Sequence, residues 1–212
     1  MRDASSFASH PKQCHILTEL EKQYSVQLNE AMEDVSKIRL LVFITIGYGI
    51  FFVVNNFLTQ NLYLLPGAHI VHLPSGAKLF IVLVAGIIGA TAISIVGVAY
   101  GAFVMFKDNY LLVGCLGVAT FITPILSIKV ARNIQAFEDD LNGLTSLNLL
   151  HLSVAYAVIN SILHQIPIYF LTQQPDFING TLVMFTGDIT GVFLLLYITR
   201  TVLKVLRATG KM

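Results

Sequence analysis

Charge is what this sequence is short of. Asp, Glu, Lys and Arg together make up 12% of its 212 residues, against about 25% in an ordinary soluble domain. The deficit lies after residue 38, where long apolar runs alternate with short polar breaks. That pattern excludes a large soluble core and predicts a helical bundle in lipid. Cysteine is scarce too. Cys14 and Cys115 sit in a polar tail and an apolar segment, which excludes a disulfide framework and leaves two reduced thiols. The net charge of +1 gives no electrostatic ground for nucleic-acid binding. No phosphate-cradling glycine loop, nucleophile elbow or zinc-protease helix occurs, so an enzyme is not expected. The first apolar run starts too late for a signal peptide and has no small-residue cleavage site after it, so the membrane region is expected to be retained.

What is present reads in four parts. Residues 1–15 are a polar, flexible tail. Residues 16–37 form an amphipathic helix, with Leu17, Leu20, Tyr24, Leu28, Ala31 and Val35 at three- and four-residue steps and Glu19, Glu21, Glu30, Glu33 and Asp34 on other faces. It is expected to pack on the protein's cytoplasmic face, or to pair with another subunit. Residues 38–204 are the membrane domain, and 205–212 a basic cytoplasmic tail.

The first span is 38–58, and 59–72 is an outer loop. Leu73-Pro74-Ser75-Gly76 signals a turn opening the next apolar stretch. Residues 78–106 are apolar, rich in Gly and Ala, and as one straight helix would measure about 43 Å, against about 30 Å of hydrocarbon. Basic residues resolve its topology. Lys37 and Arg39, Lys129 and Arg132, and Arg200, Lys204, Arg207 and Lys211 flank different spans. The positive-inside rule puts all of them in the cytoplasm. They share one side only if 78–106 enters and returns, as two short helices broken near Gly89-Ala90-Thr91, crossing fully or re-entrant. The remaining spans are 109–132, 147–171 and 181–201, with Pro124 and Pro167 inside two of them. The expected fold is an all-α integral membrane bundle of about six helices, multi-pass in the cell membrane (the inner membrane of a bacterium), with both termini cytoplasmic. The loop 133–146, acidic at Glu138, Asp139 and Asp140, falls inside; 172–180 falls outside.

Asp188 is the costliest residue in this chain. A charge at the centre of a membrane helix costs about 2.5–3.5 kcal/mol on insertion scales and marks a partner, a cavity or a substrate. The last two spans form an antiparallel hairpin centred near Asp176, which puts His164 at the depth of Asp188 and Asn160 near Gly191. Asn160 and His164 are four apart and share a helix face. Gly187 and Gly191 admit a close backbone. The expected site is a polar seam of Asn160, His164, Asp188 and Thr190, with an Asp–His pair able to carry a proton. His151 reads as interfacial. His69 and His72, three apart without a third ligand, do not make a metal site. Asn179-Gly180-Thr181 matches a glycosylation acceptor but abuts a span.

Two segments resemble a known family. Pro74-Ser75-Gly76-Ala77-Lys78-Leu79 is similar to the Pro-x-Gly entry to the second helix of bacterial MASE1-type sensor domains. Gly187-Asp188-Ile189-Thr190-Gly191 is similar to the Gly-Asp-x-x-Gly motif near the end of that domain. The resemblance implies a multi-helix membrane module that senses a small ligand. With no catalytic domain of its own it would signal through a membrane or cytoplasmic protein partner. Two further readings stand beside it: a small transporter or substrate-binding subunit with its site at Asp188 and His164, and an assembly protein recruiting a partner through residues 16–35. The expected partners are membrane lipid, an unidentified small ligand and a protein partner or a second copy; no cofactor is expected.

Overall fold

In the computed structural model the described residues are 11–59, 63–65, 68–69, 72–135, 146–172 and 176–208. Residues 1–10 of the expected flexible tail, most of the 133–146 loop, and the side chains of 11–31 and 196–208, with the expected packing of the amphipathic helix and the C-terminal basic cluster, lie outside this description; residues 11–15, expected in the tail, belong to the first helix. The elements are α1 (Pro11–Leu58), β1 (Tyr63–Leu65), β2 (Ala68–His69), α2 (Leu73–Tyr100), a π-helical turn (Gly101–Met105), α3 (Tyr110–Gln135), α4 (Ser146–Thr172) and α5 (Phe177–Ala208). The chain divides into two compact units, residues 1–40 and 41–212. In the first, Lys37 pairs with Glu33 at 2.9 Å and Asp34 at 3.7 Å, one turn apart on an exposed helix face.

Five helical segments are long and apolar enough to cross a membrane: Met32–Leu58, Leu73–Met105, Tyr110–Asn133, Leu150–Thr172 and Phe177–Leu195. Their packing inverts that of a soluble protein. Phe43, Ile46 and Phe57 of α1, Ile87 of α2, Leu111 of α3, Phe170 of α4 and Ile178 of α5 are exposed. Ser75, Thr120, Thr123, Ser127, Ser153, Asn160, Ser161, His164, Gln165 and Asp188 are buried. Apolar side chains outward and polar ones inward is the arrangement a lipid solvent selects. In the second unit α3 packs against α2 and α4, and α5 against α2 and α4. Tyr48, Leu79, Val82, Ala90, Ile93, Ile128, Ala131, Leu152 and Tyr156 form the apolar core.

Two features depart from the expected outline. The first is the loop after α1, where β1 and β2 form a short antiparallel ribbon, Tyr63 opposite His69 and Leu65 opposite Ala68, lying against α5. The second is the position of the break in α2. Gly86, with φ 54° and ψ −131°, is its one non-helical residue, three positions before the Gly89-Ala90-Thr91 site expected from sequence. A straight helix would hold Ile81 and Gly89 about 12 Å apart. Instead, a β-carbon on Gly89 would lie 2.8 Å from the Ile81 carbonyl oxygen. Only glycine adopts the Gly86 conformation without a cost of about 1–3 kcal/mol. Gly86→Ala should therefore lower stability by about that much in a denaturant titration of the purified protein, although nothing lies within 4 Å of the added methyl. An unchanged midpoint would refute the strained turn.

Candidate functional site

Asp188 sits eleven positions after the start of α5 at Phe177, about 16 Å along its axis. The first residues of α2 reach it there. The His72 amide donates to the Gly187 carbonyl at 3.1 Å. The Ser75 hydroxyl donates to one Asp188 carboxylate oxygen. The Asn160 amide nitrogen of α4 donates to the other at 2.7 Å. Asp188 is 1% exposed, so these two bonds stand in for its lost water. The N-terminus of α2 adds the positive end of a helix dipole, which favours a carboxylate.

Gly191 makes this approach feasible. A β-carbon there would lie 1.9 Å from the His72 carbonyl oxygen. Pro74 lies in the first turn of the helix, where an N–H has no intrahelical partner and its absence costs nothing. At the same depth α4 supplies His164, whose Nδ1 meets its own helix carbonyl at Asn160 (3.0 Å) and whose Nε2 meets the Thr120 hydroxyl of α3 (3.1 Å).

These groups surround a cavity of about 110 Å³. Its polar wall is Asp188, Asn160, His164, Thr120 and Lys78; its apolar wall includes Phe52, Tyr100, Met105, Phe106 and Ile168. The π-helical turn shapes one side. The Phe106 amide bonds the Gly101 carbonyl at 2.8 Å, and Gly101, Met105 and Phe106 all face the cavity. Such turns recur at functional sites. Lys78, one turn beyond Ser75, is 7% exposed and makes no hydrogen bond or ion pair with the described residues.

Of the residues singled out from sequence, Asp188, Asn160 and His164 meet around one cavity. The expected Asp188–His164 hydrogen bond does not form. The entry to α2 takes one Asp188 oxygen and Asn160 the other, while His164 turns to α3. Thr190 does not line the cavity; its hydroxyl returns to the Thr186 and Gly187 carbonyls of its own helix. Gly187 and Gly191 contact the His72–Leu73 backbone. His151 is exposed, and Asn179 lies in the first turn of α5, hydrogen-bonded to Asp176. Sequence reasoning missed Lys78, Ser75 and Thr120 as site residues. The signal for Lys78 was there: a cation five residues into an apolar helix.

No family model matches the chain, and no curated protein or solved structure is significantly similar to it.

Proposed function

We propose that this protein binds a small polar solute within the membrane and carries it across. The observation that supports this most is a helix starting halfway along the bundle, its N-terminus on a buried carboxylate beside a cavity. Discontinuous helices with intramembrane polar groups at mid-depth are the recurring construction of solute sites in transporters.

The same reading gives the topology. Residues 73–85 rise about 20 Å from the level of Asp188 to Gly86, which shares a surface depression with Lys129, Arg132 and Asn133 at the basic end of α3. Residues 87–105 then run back, with Gly97 beside Thr120 and Gly101 beside Val113. The break at Gly86 thus belongs on the cytoplasmic side, the start of α2 is entered from the opposite side, and both termini are cytoplasmic.

The test is uptake into vesicles reconstituted with the purified protein, across a panel of small anions, cations and neutral polar solutes. One class should cross, and Asp188→Asn should slow that flux at least tenfold while the protein keeps its elution profile. No flux for any class would remove the transport reading.

A second reading, the MASE1-like sensory module, draws on a different observation. The two segments that carry the resemblance lie far apart in sequence, yet Ser75 of one donates to Asp188 of the other. In that case the cavity binds its solute without flux, and occupancy is passed to a protein partner. Saturable binding with no vesicle uptake is the result that selects it.

A further inference from the structure

We infer that the cavity's occupant is a small monocarboxylate, and that Lys78 is the residue that holds its charge. This rests on the solute-binding reading above and adds the class of solute.

Local charge bookkeeping leads there. Asp188 is already provided for by the Ser75 hydroxyl, the Asn160 amide and the N-terminus of α2. Lys78 is not. It lines the same cavity, is buried, and has no hydrogen-bond or ion-pair partner among the described residues. A lysine side chain 7% exposed, whose ammonium faces the cavity with no carboxylate in contact among the described residues, is held at a cost that a bound anion would lower. An anion entering the cavity would supply what is missing.

Two more groups facing the cavity are unsatisfied: the Tyr48 hydroxyl and the Asn160 side-chain oxygen. Tyr48 can donate to a carboxylate, whereas the Asn160 oxygen only accepts. They fit a ligand with a carboxylate at one end and a hydroxyl or other donor near it. Phe52, Tyr100, Met105 and Phe106 suit a short hydrocarbon part. Size sets the upper limit. A cavity of roughly 150 Å³ holds benzene, so about 110 Å³ admits a solute smaller than that ring. Dicarboxylates are disfavoured, because a second carboxylate would meet Asp188 and Lys78 is the one Lys or Arg among the cavity-lining residues.

Lactate, lactamide and ethanolamine test this by calorimetry on the purified protein in detergent. Lactate and lactamide match in size and differ in charge, and ethanolamine is a smaller cation. Lactate should bind at least tenfold more tightly than lactamide, and ethanolamine should not bind. Lys78→Gln should remove lactate binding, Lys78→Arg should retain part of it, and Tyr48→Phe should weaken it severalfold. If Lys78→Gln does not fold, the lactate-to-lactamide ratio of the unaltered protein and the Tyr48→Phe loss decide the matter. Equal or tighter binding of lactamide or ethanolamine, or full lactate affinity in Lys78→Gln, overturns the monocarboxylate while leaving a solute site. No binding of any of the three overturns it too. The solute-binding reading is then judged separately by the wider vesicle panel, where flux or binding of an unrelated solute would keep it.

Discussion

Gly191→Ala should be among the most damaging single-methyl substitutions in this protein. The added carbon would sit 1.9 Å from the His72 carbonyl oxygen, 2.4 Å from its carbon and 2.9 Å from the Leu73 nitrogen. All three are backbone atoms, so no side chain can rotate away. Either α5 or the entry to α2 must move, and the same contact carries the His72–Gly187 and Ser75–Asp188 hydrogen bonds. Overpacking a tight interior costs about 1–3 kcal/mol and sometimes more. Loss of the Ser75 bond to a buried carboxylate adds about 1.5–3 kcal/mol. The thermal midpoint in detergent should fall sharply, and solute binding should go with it. Gly114→Ala is the control. It places a methyl on an exposed helix face with nothing within 4 Å, where replacing glycine should raise stability by up to about 1 kcal/mol. If the two variants melt alike, the close docking of α2 on α5 is wrong.

This docking explains what the sequence could and could not reveal. Asp188, Asn160 and His164 were legible because a polar residue in an apolar helix is conspicuous, and antiparallel counting about the 172–180 turn gives relative depth. Gly187 and Gly191 were legible as places where a backbone comes near, but not which backbone. The count treated the last two helices as neighbours sharing a seam. The partner that takes one Asp188 oxygen comes from Ser75, 113 positions earlier in the chain, and no local pattern encodes that distance.

Lys78 was hidden for a related reason. At the edge of an apolar run, a lysine looks like the residue that marks where a membrane begins. In the structure the first turn of α2 meets Asp188, eleven positions into α5, so the apparent edge of the span lies at the middle of the bundle. The β1–β2 ribbon was equally concealed, since three- and two-residue strands have no period to detect. The break in α2 was expected near Gly89-Ala90-Thr91, from length and the placing of basic residues, but falls at Gly86, and Gly89 packs close to the Ile81 carbonyl. Length and charge signal that a turn exists; backbone sterics choose which glycine makes it.

The largest electrostatic effect should come from removing Asp188 alone. Lys78 and Asp188 line one cavity without a direct ion pair among the described residues. Asp188→Ala leaves the lysine buried with no counter-charge and orphans the Ser75 hydroxyl and the Asn160 amide. Breaking a direct buried ion pair costs about 3–5 kcal/mol; these charges face each other across the cavity without touching, so their coupling should fall within about 0.5–3 kcal/mol. Replacing both charges is a different experiment. Lys78→Met keeps the length of the side chain and removes its cation, so the double variant Asp188→Ala/Lys78→Met carries no uncompensated charge. It should be more stable than Asp188→Ala, recovering about half of the loss or more, since apolar replacement of a whole buried pair is often neutral. A double-mutant cycle read by denaturant titration measures this coupling directly. Strictly additive effects would mean the two charges do not interact, and the counter-charge role given to Asp188 would fall. Coupling in stability together with loss of solute binding would separate what the two residues do. Asp188 then makes it tolerable to bury Lys78 in the empty protein, and Lys78 gives the cavity its affinity.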